Sequence, residues 1–164
     1  MARILIADRV PFMSNITTFA LQYGGHDVVE VAVDGEQAIE YHMSLEPDLT
    51  ILEIMLPKLN GIEVLEKLKR ISPGSKIIIC STVRKDAMIE RAMAHGAESY
   101  IIKPFQILSF LSEIRRIVGD EEICPDLIQK HATSQDELNK MLGKILTRSI
   151  TPEEISAFLK DKNR

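Results

Sequence analysis

Short runs of apolar residues alternate along the chain with longer segments whose apolar positions recur at helical spacing. Five of the runs are almost continuously hydrophobic, which is typical of strands buried on both faces of a parallel sheet. These runs are residues 4–7, 28–33, 49–52, 76–80 and 99–102. Each is followed by a segment with a helical apolar stripe, so the pattern predicts five strands alternating with five helices.

Residues with known preferences at helix ends mark the boundaries of these segments. Pro11 suits the first turn of the first predicted helix, and Gly24–Gly25 suit its end. Asp34 and Asn60 are expected N-caps of the second and third helices, because their side chains accept hydrogen bonds from free backbone N–H groups. Since connections between parallel strands are right-handed, the order of elements predicts an α/β, doubly wound parallel sheet with helices on both faces.

The last part of the chain has a different pattern, with amphipathic stretches and no strand-like run. The residues with the spacing of a one-sided helix are Leu138, Met141, Leu142, Ile145 and Leu146. Such a short helix is not stable alone in water, so it needs a surface to pack on. We therefore predict a first domain of residues 1–119 and a C-terminal helical extension, residues 120–164. The extension is expected to pack on the domain or on another copy of the chain.

Composition and charge narrow the class of protein. The chain of 164 residues is 45% hydrophobic and 27% charged, as soluble globular proteins are. Its net charge of −4 is shared equally by residues 1–119 and residues 120–164. Neither part therefore has the basic excess of a nucleic-acid-binding protein. No apolar run reaches the roughly 18 residues of a membrane span, and no signal-peptide pattern begins the chain. We expect a cytoplasmic protein that has no membrane partner and does not bind nucleic acid.

Polar residues follow four of the five predicted strands. Asp8–Arg9 come after the first strand, Glu53 after the third, Ser81–Thr82 after the fourth and Lys103 after the fifth. The carboxyl ends of parallel strands meet at one edge of the sheet, where open α/β proteins bind their ligands. Any one of these residues alone is an ordinary turn residue, but together they predict a functional site at that edge.

Residues 1–119 resemble the receiver domain of two-component response regulators. The motifs that carry the resemblance are residues 4–8 (ILIAD), 52–57 (LEIMLP), 60–61 (NG), Ser81 and residues 96–105 (GAESYIIKPF). The resemblance implies a flavodoxin-like sheet of order 2-1-3-4-5 and a signalling switch rather than an enzyme. In this family a histidine kinase phosphorylates an Asp after the third strand. The family's Mg²⁺ is held by an acidic pair after the first strand, by the phosphoacceptor and by the backbone carbonyl two residues further on.

Two positions depart from the family's pattern. Glu53 stands at the position of the phosphoaccepting Asp, and Arg9 stands where a carboxylate would bind the metal. The other positions match. They are Ser81 at the phosphate-contacting hydroxyl, Lys103 at the phosphate-pairing lysine, Tyr100 at the aromatic switch position and Met55 at the backbone carbonyl ligand. The sequence therefore resembles an atypical receiver with a vestigial metal site formed by Asp8, Glu53 and the Met55 backbone.

The charges of this pocket argue against Mg²⁺ and against phosphorylation. Asp8, Glu53, Arg9 and Lys103 sum to zero, whereas the family's three carboxylates and one lysine attract a divalent cation. Two like unit charges about 4 Å apart repel by roughly 4 kcal/mol at an effective dielectric of about 20, so Arg9 opposes the metal. The longer side chain of Glu53 also displaces the carboxylate, and about 1 Å of misplacement costs on the order of 10²-fold in rate. We expect no cofactor and no phosphate on Glu53.

The leading hypothesis is a phosphorylation-independent receiver that acts by binding another protein. The Glu53 carboxylate is expected to pair with Arg9, Lys103 or both and so to hold the switch in one conformation. The expected partner is a histidine kinase or a downstream signalling protein. A homodimer, formed through the receiver face around Tyr100 or through the C-terminal helices, is a further expectation.

Three alternatives belong to other functional classes. In a conventional phospho-switch Glu53 would still accept phosphate despite Arg9. In a transcription regulator the C-terminal tail would contact DNA, which its negative charge disfavours. A flavodoxin-type FMN protein has the same fold, but residues 9–11 (RVP) stand where a glycine loop would cradle the phosphate.

Overall fold

The computed structural model describes residues 1–119, and the predicted helical extension, residues 120–164, lies outside the described residues. Five strands alternate with five helices, as the sequence pattern predicts. The strands are β1 (Arg3–Ala7), β2 (Asp27–Ala32), β3 (Leu49–Leu52), β4 (Ile77–Ser81) and β5 (Ser99–Ile102). The helices are α1 (Pro11–Tyr23), α2 (Gly35–Leu45), α3 (Gly61–Ile71), α4 (Asp86–Ala94) and α5 (Ile107–Val118).

The five strands form one parallel sheet of order β2-β1-β3-β4-β5, which confirms the predicted fold class and strand order. β3 lies in the middle of the sheet between β1 and β4. Backbone hydrogen bonds continue the ladder beyond the strand ends. The Glu53 N–H donates to the Ala7 carbonyl at 2.9 Å, and the Lys103 N–H donates to the Ser81 carbonyl at 2.9 Å. The residues after β1, β3, β4 and β5 are therefore aligned at one edge.

Helices cover both faces of the sheet. A continuous apolar core joins one face of the strands to α2, α3 and α4, through residues such as Ala38, Leu65 and Ala92. On the other face α1 and α5 pack beside each other, with Phe19 and Phe110 fully or almost fully buried. No helix within residues 1–119 is long and apolar enough to span a membrane.

The predicted N-caps of α2 and α3 are both confirmed. The Asp34 carboxylate accepts a hydrogen bond from the Gln37 N–H at 2.9 Å. The Asn60 side chain accepts from the N–H groups of Ile62 and Glu63, and the Glu63 carboxylate accepts from the Asn60 N–H at 2.8 Å. This reciprocal capping box fixes the start of α3, where the loop that begins at Glu53 ends.

The loop between β3 and α3 is also tied to the start of α2. Lys58 adopts a left-handed conformation (φ 65°), and its ammonium lies 2.9 Å from Asp34 and 3.1 Å from Glu36. Hydrogen bonds to the Gln37 N–H and to Lys58 lower the pKa of Asp34, and the bonds to Asp34 and Glu36 raise the pKa of Lys58. The loop that carries Glu53 is thus held at its middle as well as at its two ends.

The predicted second strand is displaced by one residue. β2 covers Asp27–Ala32, whereas the apolar pattern predicts residues 28–33. Val33 is 47% exposed, and its N–H donates to the side chain of Gln37 in α2 at 3.1 Å. Hydrophobicity alone does not reveal that Val33 lies outside the strand.

Candidate functional site

The carboxylate of Glu53 is buried and surrounded by hydrogen-bond donors. Glu53 directly follows β3 and is 7% exposed. Its Oε1 accepts from the backbone N–H of Ile54 at 2.7 Å, from that of Met55 at 3.2 Å and from the Ser81 hydroxyl. Its Oε2 accepts from the Lys103 ammonium at 3.0 Å. Both oxygens are therefore satisfied by the protein itself.

Lys103 joins the two carboxylates that end β1 and β3. Its ammonium lies 2.5 Å from the Asp8 carboxylate as well as 3.0 Å from that of Glu53, and all three side chains are buried. Burial opposes the charged form of Lys103, but the hydrogen bond to Asp8 and the nearby negative charges outweigh it and raise the pKa of Lys103. The ammonium is thus the positive centre of a buried Asp8–Lys103–Glu53 triad.

Ser81 links this triad to Tyr100 through backbone groups of the loop after β4. The Ser81 hydroxyl oxygen accepts from the Val83 N–H at 3.2 Å, and the Val83 carbonyl accepts from the Tyr100 hydroxyl at 2.6 Å. Burial raises the pKa of Tyr100, which keeps its hydroxyl protonated and able to donate. A continuous path of hydrogen bonds therefore runs from Glu53 through Ser81 and Val83 to Tyr100.

Arg9 does not join the buried group. Its side chain is exposed, and within residues 1–119 it forms no ion pair with Glu53 or Asp8. Of the two partners that the sequence leaves open for Glu53, the structure shows Lys103 and not Arg9. The charge sum of zero also needs correction, because Asp8, Glu53 and Lys103 together carry one net negative charge. Solvent screens the exposed Arg9, so the backbone N–H groups and the Ser81 hydroxyl stabilise that charge instead.

The residues at this edge do not fit the Mg²⁺ that the family resemblance implies. Magnesium needs several free oxygen ligands in octahedral geometry. Here a lysine ammonium lies between the carboxylates of Asp8 and Glu53, and the adjacent residue, Arg9, supplies no carboxylate ligand. No cluster of three or more His, Cys, Asp or Glu suited to a metal ion is present in the described residues. The two carboxylates are therefore arranged around an ammonium group and not around a divalent cation.

The other predicted positions lie at the rim of the site. The Met55 side chain is 56% exposed, and its N–H, rather than its carbonyl, contacts Glu53. Thr82 is exposed and lies beside the site without entering it. Tyr100 is half-buried, with its hydroxyl turned toward Val83.

Three contributors to the site are missed by sequence reasoning. Ile54 and Val83 act through backbone groups, which any residue supplies, so residue type carries no signal for them. Arg84 donates from Nη2 to the Lys103 carbonyl at 3.4 Å, which ties the loop after β4 to the end of β5. A lone arginine in a turn does not reveal this contact, because the partner is far away in sequence.

Comparison with known sequences shows which family this chain resembles. The model of the response regulator receiver domain matches residues 4–115. The chemotaxis protein CheY of Thermotoga maritima is 36% identical over 104 residues, which are 63% of this chain and 87% of that protein. The chemotaxis protein CheY of Bacillus subtilis is 36% identical over 117 residues, 71% of this chain and 98% of that protein.

Solved structures agree with the sequence comparison. The response regulator domain of Thermotoga maritima CheB has a TM-score of 0.66 at 28% identity and covers 71% of this chain and 96% of its own. A chain of the CheX–CheY–BeF3–Mg²⁺ complex from Borrelia burgdorferi has a TM-score of 0.68, covering 70% of this chain and 87% of its own. Its 24% identity supports the fold alone. From the match over residues 4–115 and these relatives, the chain belongs to the response regulator receiver domain family of two-component signalling.

Proposed function

We propose that this receiver is a non-enzymatic, protein-binding signalling module that works without phosphorylation. The observation that carries the proposal is the environment of Glu53. Its carboxylate already accepts the hydrogen bonds of Ser81, Lys103 and two backbone N–H groups. The hydroxyl and the lysine that match the family's phosphate contacts are therefore occupied by the protein's own anion.

Phosphoryl transfer at this site would lack the metal ion that usually stabilises the transition state. Such reactions depend on cations that neutralise the charge of the transferred group, commonly Mg²⁺. The donor set at Asp8 and Glu53 does not suit Mg²⁺, and the one buried cation, within residues 1–119, that touches both carboxylates is Lys103. Transfer to Glu53 would require Lys103 and Ser81 to leave a carboxylate that they hold at short range.

The hydrogen-bond path from Glu53 to Tyr100 suggests how a permanent negative charge in the pocket could fix the position of a side chain at the surface. Glu53 orients the Ser81 hydroxyl, Ser81 holds the Val83 N–H, and the Val83 carbonyl holds the Tyr100 hydroxyl. Because Tyr100 lies half-buried on the edge strand β5, its ring position shapes the surface beside that strand. A fixed Glu53 charge would keep this surface in one form for a partner.

The class of partner is a second protein of a signalling pathway. Receiver domains bind histidine kinases and other signalling proteins, and one structural neighbour was solved as a complex of CheY with CheX. The expected homodimer through the face around Tyr100 is part of the proposal. The expected contribution of the C-terminal helices concerns residues outside the described range.

Incubation with acetyl phosphate and Mg²⁺, followed by intact mass spectrometry, tests the proposal. The wild-type chain is expected to gain no phosphoryl group. The double variant Arg9→Asp with Glu53→Asp restores both family residues and serves as the matched control that should gain one group. A stoichiometric phosphoryl group on Glu53 of the wild-type chain would instead establish the conventional phospho-switch, the alternative that the sequence leaves open.

A further inference from the structure

His42 joins three elements at the edge of the sheet opposite to Glu53. It lies late in α2 and is buried, with Nδ1 2.8 Å from the hydroxyl of Thr50 at the start of β3. Its Nε2 lies 3.0 Å from the hydroxyl of Ser75, in the turn between α3 and β4. One imidazole ring therefore connects α2, the central strand and the turn before β4.

The hydrogen bonds of the turn determine which ring nitrogen carries the proton. The Ser75 hydroxyl donates to the Ser72 carbonyl at 2.8 Å, so its oxygen is left to accept from Nε2–H. Nδ1 of the neutral ring then accepts from the Thr50 hydroxyl. With the proton on Nε2, every polar atom of this group has a partner of the right type.

A second proton on the ring would break this match. Nδ1–H would face the Thr50 hydroxyl as a donor, and Thr50, which is fully buried, would have to turn its own proton toward another acceptor. A cation would also appear in a buried position, which is costly without a counter-charge. In the described part of the chain both ring nitrogens have hydroxyl partners and no carboxylate partner.

Among the described residues, the charged groups on the elements that pack against α2, and on the turn, form no pair with the His42 ring. Lys69 of α3 donates to the Ser75 carbonyl at 2.6 Å, which brings a like charge to the same turn, and its carboxylate neighbour is Glu98 at 3.5 Å. At the start of β1, Arg3 is held by Asp48 through its N–H and by the Glu46 carbonyl. Glu30 of β2 hydrogen-bonds to the Val31 N–H, and Lys76 before β4 is exposed.

We propose that His42 is a pH-sensitive clamp, and that protonation of its ring releases the turn of residues 72–75 from α2 and from the start of β3. The clamp closes at neutral pH, when the ring accepts from Thr50 and donates to Ser75. It opens in acid, when Nδ1 has become a donor and the ring repels Lys69. This device is independent of the function proposed for Glu53, because the two sites lie at opposite ends of β3.

The direction of the pH effect follows from burial, which lowers the pKa of His42. A histidine with a lowered pKa in the folded chain binds fewer protons there than in the unfolded chain. Stability is therefore complete above the ordinary histidine pKa of about 6.5 and is lost as the pH falls below it. The loss continues down to the lower pKa of the folded chain.

Two measurements on the full wild-type chain test the clamp. NMR of the imidazole nitrogens should show the Nε2–H tautomer at about pH 7.5, where the ring is neutral. As the pH is lowered until the ring titrates, the resonances of the Thr50 and Ser75 amides should shift together with those of the ring, and their hydrogen exchange, corrected for intrinsic rate, should accelerate several-fold. The proposal is overturned by a ring that titrates without any change at these amides, and equally by a ring that stays neutral until the whole domain unfolds.

Two variants test whether the pH dependence of stability comes from His42 or from His95. His42→Gln keeps a donor and an acceptor but cannot titrate, so the fall of the urea midpoint between about pH 7.5 and about pH 5.5 should shrink by half or more. His95→Gln alters an exposed histidine that directly follows α4 and lies 3.0 Å from the Glu66 carboxylate, so losing it should not shrink this fall. An undiminished fall in His42→Gln would contradict the clamp. If that variant does not fold, the wild-type NMR titration decides alone.

Discussion

At the scale of single residues, the decisive feature is that every partner of the Glu53 carboxylate is a donor. One oxygen faces Ser81 and two backbone N–H groups, and the other faces the Lys103 ammonium. A carboxylate satisfies both sides, because both of its oxygens accept. An amide of the same shape cannot, because one of its two ends is an NH₂ group that would face a donor in either orientation.

Glu53→Gln should therefore lower the free energy of unfolding although it preserves the size of the side chain. A buried donor that faces another donor costs about 1–3 kcal/mol, and the charged Lys103 places the loss toward the upper end. Urea denaturation measures this loss. The ring resonances of Tyr100 should also shift, because the path through Ser81 and Val83 loses its anchor.

Glu40→Gln is the matched control for this variant, because Glu40 is exposed on α2. It makes the same chemical change at a solvated position and should alter the free energy of unfolding by less than about 0.5 kcal/mol. Equal stability of Glu53→Gln and Glu40→Gln would show that the donors around Glu53 do not hold its charge.

At the scale of elements, the loop from β3 to α3 requires the backbone at its end, at Gly61, to lie close to the backbone at its start, at Glu53. A Cβ placed on Gly61, the first residue of α3, would overlap the carbonyl oxygen of Glu53. The same end of the loop is held by the hydrogen bond from the Gly61 N–H to the Ile54 carbonyl at 2.9 Å. The first residue of α3 thus packs directly against the backbone of Glu53, and the space between them cannot hold a side chain at position 61.

Gly61→Ala should destabilise the domain by about 1–3 kcal/mol, because the backbone of the loop must shift to admit the methyl group. Gly74→Ala is the control, since a Cβ there meets nothing within 4 Å and the residue does not have a positive φ. The control should be neutral or slightly stabilising. Urea midpoints of the two variants compare them directly, and a neutral Gly61→Ala would contradict the close packing.

Within residues 1–119, the C-terminal helix α5 is held to the edge strand β5 by a carboxylate. Glu113 of α5 accepts from Arg116 at 2.7 and 3.0 Å, and this pair, together with a hydrogen bond from Ser99 of β5, lowers the pKa of Glu113 to about 2. A carboxyl group with a lowered pKa adds stability above its unfolded pKa of about 4.3, and this stability is lost as the pH falls toward 2.

Glu113→Gln should therefore have a lower urea midpoint than the wild-type chain at neutral pH, with a difference that narrows as the pH falls below about 4.3. Glu90→Gln, at an exposed position of α4, should show no such pH-dependent difference. A difference between Glu113→Gln and wild type that stays constant down to about pH 3 would refute the assigned pKa.

At the scale of the whole molecule, the charge arrangement predicts how the domain responds to divalent cations. A ligand that binds only the folded state stabilises it by about 2.7 kcal/mol at one hundred times its Kd, which raises the Tm of a domain this size by several degrees. Because Lys103 already bridges Asp8 and Glu53, Mg²⁺ should raise the Tm no more than NaCl of equal ionic strength.

The double variant Arg9→Asp with Glu53→Asp supplies the control for this measurement. It removes the exposed cation and restores the family's carboxylates, so its Tm should rise with Mg²⁺ beyond the effect of NaCl. A saturable, Mg²⁺-specific rise in the wild-type Tm would show that the carboxylates remain open to a metal.

Much of the architecture is predictable because it rests on properties spread over many residues. Continuous apolar runs such as residues 49–52 predict buried parallel strands, and the capping side chains of Asp34 and Asn60 predict where α2 and α3 begin. The order of elements then limits the topology to a doubly wound sheet. Each of these signals survives small local deviations, as the one-residue displacement of β2 illustrates.

The arrangement of the site depends instead on single side chains with competing partners. The sequence places Asp8, Arg9, Glu53, Ser81 and Lys103 at one edge of the sheet, because parallel strands end there together. Only the tertiary structure decides that Lys103 lies between the carboxylates, that Arg9 points to solvent and that backbone N–H groups complete the environment of Glu53. The physical reason is that hydrophobic periodicity specifies which face of an element is buried. The partner of a charge at a strand end is chosen by distance and hydrogen-bond geometry after the chain has folded.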